Sequence, residues 1–166
     1  YDNTIISFNV ISSAHKYKVK KLIFLGSSCI YPANCRQPIR EDYLLKGELE
    51  KTNEWYSLAK ISGIKLCQAL RIQENCDFIS VMPTNLYGPN DKYSGIDAHV
   101  IPALLEKFVK AKIRKKKFVE IWGDGKATRE FLFVNDLAKI VKKLLKVSKK
   151  KISKITQNNF LINIGS

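Results

Sequence analysis

Acidic residues are scarce in this sequence: 15 Asp and Glu stand against 29 Lys and Arg, a formal net charge of +14. Histidine is scarcer still, at two residues, and none of the four cysteines (Cys29, Cys35, Cys67, Cys76) forms a CxxC pair. That excludes a zinc-type cluster, and no metal is expected. No apolar run reaches the length of a membrane span, so no membrane partner is expected. No charged, apolar and small-residue leader pattern opens the chain, so the thiols are expected to stay reduced in the cytoplasm. Methionine occurs once, at Met82, and the sequence starts at Tyr1. An internal piece of a longer protein is the expectation. A GxGxxG fingerprint is missing as well; only GDGK at 123–126 comes near, in the wrong place for it.

Excess positive charge attracts nucleic acids, membrane surfaces and phosphorylated metabolites. Much of it lies in two runs, 110–117 and 142–154. Runs of this kind usually form solvated faces, and neither carries the interleaved aromatics of a single-strand binder. No nucleic-acid partner is expected. A non-catalytic basic module remains the alternative from a different class, and it predicts strongly salt-dependent binding to any polyanion.

With 45% hydrophobic and 27% charged residues, 166 residues suffice for a real core. Residues 3–17 read as a helix, with Ile6, Val10 and Ala14 on one face. KKLIFLGSS reads as a strand buried on both faces and running into a loop. Residues 32–53 read mainly as loop. Residues 55–73 form a long helix, capped by Thr52 or Asn53. DFISVMP is a second buried strand, and HVIPALLEKFVKAK a helix with proline in its first turn. FVEIWGDGK reads as a strand, VNDLAKIVKKLLKVS as a helix capped by Asn135 or Asp136, and FLINIGS as a last strand. The alternation predicts an α/β fold with a parallel sheet, and the part up to Gly88 looks like half of a doubly wound sheet.

Tyr56 and Lys60, four apart in WYSLAK, share one helix face. An ammonium beside a phenol favours the phenolate, so the pair could exchange a proton with a carbonyl or an alcohol. Gly63, on the same face, leaves room for a cofactor or another backbone. Alone, YxxxK is a weak signal. Ser27 strengthens it, because strand ends of one sense gather at the edge of a parallel sheet where ligands bind.

Ser27, Tyr56 and Lys60 together resemble the triad of the extended short-chain dehydrogenase/reductases. GSSCIYP, TNEWYSLAKISGIKLCQALR, VMPTNLYGPND, HVIPALLEKF and IWGDGKATREFLFVNDLA narrow the resemblance to the GDP-L-fucose synthase family. The resemblance implies the C-terminal part of a Rossmann-like doubly wound sheet with part of a smaller substrate-binding lobe. Residues 1–88 would be a partial NAD(P)-binding domain without its glycine-rich loop. Residues 89–166 would be a partial substrate lobe with a returning Rossmann segment.

The implied activity is epimerisation at C3 and C5, then NADPH-dependent reduction at C4, of GDP-4-keto-6-deoxy-D-mannose. Cys29 as thiolate and His99 would move the C3 and C5 protons on opposite faces. A thiol with an ordinary pKa of about 8.5 needs a nearby cation to act as a base. Tyr56 would give the proton at C4, Lys60 would lower the Tyr56 pKa and bind the nicotinamide ribose, and Ser27 would orient the carbonyl. Gly26, Ser27 and Ser28 would line the NADP(H), with Pro83, Thr84, Asn85 and Leu86 behind the nicotinamide and His99 alongside. Lys107, Trp122 and Arg129 correspond to substrate contacts. Lys107 stands where the family typically has arginine, which keeps the charge and loses the two-pronged fork. Family members are typically homodimers, and the helices at 3–17 and 55–73 are the candidates for pairing. Another extended reductase on a nucleotide sugar, a 4-epimerase or dehydratase, is the nearer alternative; a simple C4 epimerase needs neither Cys29 nor His99.

Overall fold

The computed structural model describes residues 1–95 and 98–165. Its centre is the strand β2 (Phe78–Pro83), in which every residue is buried. Parallel partners flank it: β1 (Leu22–Leu25) on one side and β5 (Leu161–Ile164) on the other. Helices α1 (Asp2–Lys16) and α2 (Glu54–Gln73) are set against α4 (Val134–Lys146) and α5 (Lys149–Ile155).

The side chains of β2 explain its apolar run, interrupted only by the buried Ser80. Phe78 packs with Ile11, Ala14 and Cys67 of the α1–α2 layer, and Met82 with Ile61 and Ile64 of α2. Ile79 packs with Ile152 of α5, and Val81 with Leu137 of α4. Alternate residues thus enter opposite layers, and both layers are apolar. Burying each such side chain stabilises by about 1.5–3 kcal/mol before entropy is counted. The expected α/β fold with a doubly wound parallel sheet is therefore present.

The sheet order β1-β2-β5 brings the end of the chain back beside β2. A second, two-stranded parallel sheet pairs β3 (Asn85–Tyr87) with β4 (Phe131–Phe133). Helix α3 (Val100–Ile113) lies between them in sequence, with Pro102 in its first turn.

Several local expectations need correction. On α1 the buried positions are Ser7, Ile11 and Ala14, whereas Ile6 and Val10 are exposed. The helix is apolar on more than one side, so its period did not single out the inner face. Residues 118–126 form no strand; the pairing falls instead on Phe131–Phe133, whose partner is β3. Helix α4 begins at Val134, which places Asn135 and Asp136 in its first turn rather than at a cap. Neither Thr52 nor Asn53 caps α2 through its side chain. Glu50 instead accepts from the Asn53 amide at 3.1 Å, closing a 3₁₀ turn before the helix. Helix α5 was hidden inside the basic run at 142–154. The strand expected at 160–166 is β5, with Ser166 outside the described residues.

Candidate active site

Strand β1 ends at Leu25, and Gly26 continues its pairing by donating its amide to Val81 O at 2.8 Å. A Cβ at Gly26 would lie 3.2 Å from Ile64 and 3.3 Å from Met82, so close packing accounts for this glycine. Ser27 follows in extended conformation. Its Oγ accepts from the Cys29 amide at 3.3 Å and starts the 3₁₀ turn Ser28–Ile30 that presents Cys29. The residue after Tyr56 holds that turn in place: Ser57, fully buried, donates its hydroxyl to Cys29 O at 2.8 Å.

Tyr56 and Lys60 rise from the first two turns of α2 beside this strand end. Lys60 Nζ donates to Leu25 O at 2.9 Å and lies 5.7 Å from the Tyr56 ring centroid. Partial burial depresses the Lys60 pKa. The Tyr56 phenol is pushed above its ordinary value by partial burial, against a smaller lowering by the Ser27 hydroxyl and with a further upward push from Cys29. Sequence reasoning expected Lys60 to lower it. The ammonium is bonded to the end of β1, and burial sets the direction of the phenol's shift. A phenol of ordinary pKa, about 10, is already protonated at neutral pH, the form a proton donor needs. Ser27, Cys29, Tyr56 and Lys60 thus converge at the C-terminal end of β1, where parallel sheets bind ligands.

Gly63 has a different reason from the one its spacing suggested. A Cβ there would lie 2.5 Å from the Phe24 ring, so the glycine admits a side chain of β1 rather than a cofactor.

A cavity of about 220 Å³ opens beside the strand ends, lined by Ser28, Tyr31, Thr84, Glu130 and Asn163. Pro83 closes β2 and is buried. The Thr84 amide donates to Ile164 O at 3.1 Å, but its Oγ1 is buried with no hydrogen-bond partner among the described residues. The Asn85 amide side chain donates to Glu130 O, and Leu86 packs on the Leu132–Leu137 cluster. Both therefore brace β3 against β4.

His99 occupies the N-cap position of α3, exposed, with Nδ1 3.6 Å from an Asp91 carboxylate oxygen. It borders a separate cavity of about 230 Å³ with Leu86, Asn90 and Val134. Lys107 and Trp122 meet across 5.4 Å, ammonium over ring, although Trp122 is otherwise exposed. Arg129 is exposed and donates to Thr128 O at 2.7 Å. Ser57 and Asn163 were missed by the sequence reading, because a serine inside a helix and an asparagine inside a strand carry no motif. No group of three or more His, Cys, Asp or Glu able to hold a metal occurs among the described residues.

A hydroxyl, a phenol and an ammonium thus gather at one parallel strand end, groups able to exchange a proton with a carbonyl or an alcohol. The profile described as the NAD dependent epimerase/dehydratase family matches residues 1–165, and the chain belongs to that family. It is 54% identical over 146 residues to a GDP-L-fucose synthase from Sinorhizobium fredii, covering 88% of this chain and 46% of the relative. It is 57% identical over 136 residues to GDP-L-fucose synthase 1 from Arabidopsis thaliana, covering 82% and 42%. The chain thus spans about half the length of the curated relatives it matches. A GDP-D-glycero-L-gluco-heptose synthase from Campylobacter jejuni, solved in the presence of NADPH, superposes with a TM-score of 0.88 at 33% identity, covering 99% of this chain and 58% of that one. A GDP-L-fucose synthetase from Naegleria fowleri bound to NADP gives 0.83 at 29% identity, covering 99% and 51%.

Proposed function

We propose that this chain carries the reactive half of a GDP-L-fucose synthase, which epimerises GDP-4-keto-6-deoxy-D-mannose at C3 and C5 and reduces C4. The observation that carries the reading is the convergence of Ser27, Cys29, Tyr56 and Lys60 at one strand end. The 52–57% identity to curated GDP-L-fucose synthases supports the substrate.

The C4 ketone acidifies the hydrogens at C3 and C5. Cys29 takes a proton on one face and His99 returns one on the other. Ser27 orients the carbonyl, and Tyr56 gives its proton to the oxygen at C4. The cofactor supplies hydride when bound. Residues at the sheet edge fit its nicotinamide end: Thr84, whose buried hydroxyl has no partner among the described residues, lines the cavity beside Ser28, and Lys60 stands with Tyr56. We assign NADP(H), as in the NADP-bound neighbour. The Lys107–Trp122 pair and Arg129 suit the nucleotide-sugar side, where cations meet a diphosphate.

Residues 1–88 form the cofactor-side part and 89–166 the substrate-side part, with β5 returning to the first sheet. Exposed Ile6, Phe8, Val10 and Trp55 on α1 and α2 support a homodimer through those helices. No helix among the described residues is long and apolar enough to cross a membrane. Four free thiols support a reducing compartment, the cytoplasm.

The test is NADPH oxidation by the full-length gene product with GDP-4-keto-6-deoxy-D-mannose, the sugar followed by NMR. GDP-L-fucose is the expected product. Reduction without inversion at C3 and C5 overturns the roles of Cys29 and His99, and no reaction overturns the substrate.

A further inference from the structure

The loop that begins two residues after Cys29 is tied to the far end of the chain by one side chain. Tyr31, buried, donates its hydroxyl to Asn163 Oδ1 at 2.5 Å. Asn163 Nδ2 donates to Ile39 O at 3.0 Å, and the Asn163 amide donates to Glu41 Oε1 at 2.8 Å. Both ends of the asparagine amide and its own backbone N–H are thus spent on residues 31–41.

Asn163 is well placed to be rigid. It lies in β5, paired in register with Met82 of the fully buried β2. On the loop side, Tyr31 packs with Ile30, Ile61, Ile64 and Met82. It closes the 3₁₀ turn by donating its amide to Ser28 O at 3.3 Å. A hydrogen bond to a buried phenol therefore fixes the outgoing end of the turn that presents Cys29, as Ser57 fixes its carbonyl. Burial, reinforced by the Glu41 carboxylate, raises the Tyr31 pKa and keeps it a hydroxyl donor.

We infer that Asn163 is a positioning residue, acting through Tyr31 to set the place of the Cys29 thiol against the substrate. The inference deepens the proposed function and rests on the role given there to Cys29. Neither Asn163 nor Tyr31 touches the reacting carbons in it. Their contribution is geometric, and geometry at this scale matters: a misplacement near 1 Å can cost about 10²-fold in rate.

Tyr31→Phe removes only the hydroxyl and keeps the ring. Asn163→Asp keeps an acceptor for Tyr31 but sets a carboxylate against Ile39 O and Glu41. Both are made in the full-length gene product, with Cys29 alkylation by iodoacetamide mapped by peptide mass against pH. The expected result for both is a shifted pH profile at Cys29, with Cys67 alkylation unchanged as the internal control for folding. With GDP-4-keto-6-deoxy-D-mannose, the fraction of sugar reduced without inversion is expected to rise at least about threefold, which is well inside that geometric range. A merely structural role would scale inversion and reduction together. An unchanged Cys29 profile in Tyr31→Phe, the variant that keeps the fold, overturns the inference whether or not the sugar is turned over. A shifted profile with no turnover by any form overturns only the assigned substrate.

Discussion

Ser57 Oγ donates to Cys29 O at 2.8 Å, so the helix that carries Tyr56 and Lys60 also holds the turn that carries the thiol. The two reactive sets cannot drift apart without breaking this part-buried hydrogen bond. Ser57→Ala leaves the half-buried Cys29 carbonyl without this donor, and losing such a hydrogen bond costs about 0.5–1.5 kcal/mol. Chemical denaturation should show that loss as a lower midpoint at constant slope.

Gly63→Ala tests the close approach of β1 to α2. The added methyl would sit 2.5 Å from the Phe24 ring, and overpacking of this kind costs about 1–3 kcal/mol. Phe24→Leu in the same chain should recover most of it. Additive losses in the double variant would show that the clash is not with that ring.

Arg71 links three elements from a buried position. It pairs with Asp77 at 2.6 Å, donates to Lys149 O at 3.0 Å, and stacks 4.5 Å from the Phe160 ring centroid. Arg71→Met should destabilise by about 1–3 kcal/mol, because the Phe78 and Lys149 carbonyls lose their donor while Asp77 keeps Lys21. Thermal unfolding reads the change directly.

Alkaline stability should be steep. Burial pushes the Cys67 thiol up to about 12, and Tyr31 and Tyr56 are raised as well. A group whose folded pKa is raised holds its full stabilisation below its unfolded pKa. It loses that stabilisation as pH rises toward the folded value. Stability should therefore fall from about pH 8.5 upward, where unfolded thiols ionise. Cys67→Ala should flatten the part of the fall below pH 12. A denaturation series from pH 7 to 11 in which both chains decline in parallel would contradict this.

Tyr56→Phe should lower C4 reduction by about 10²–10⁴-fold, the usual range for a lost proton donor, while leaving proton exchange at C3 and C5 measurable in deuterated water. Equal loss of both would place Tyr56 outside the proposed role.

Much of this architecture could be read from the chain, for identifiable reasons. FISVMP is apolar but for Ser80, and its lack of alternation is the direct trace of two apolar layers around β2; LIFL reads as equally buried, but β1 is only half-buried and its Leu25 is exposed. The Ser27, Tyr56 and Lys60 set was legible because strand ends and a helix face have fixed periods. What escaped depended on partners distant in sequence. Phe131–Phe133 becomes a strand only because Asn85–Tyr87 lies beside it. The inner face of α1 is set by α2, and its own pattern is apolar on several sides. The upward pKa direction of Tyr56 comes first from its partial burial, which spacing alone does not show.

The strand order β1-β2-β5 has a consequence during synthesis. The open edge of β2 is completed by residues that leave the ribosome roughly 80 positions later. At about 5–20 residues per second, that edge waits on the order of ten seconds for its partner. During that interval the nascent chain presents a largely apolar strand with one row of backbone groups lacking their sheet partners. The rate of synthesis between Thr84 and Phe160 therefore sets how long that edge stays open.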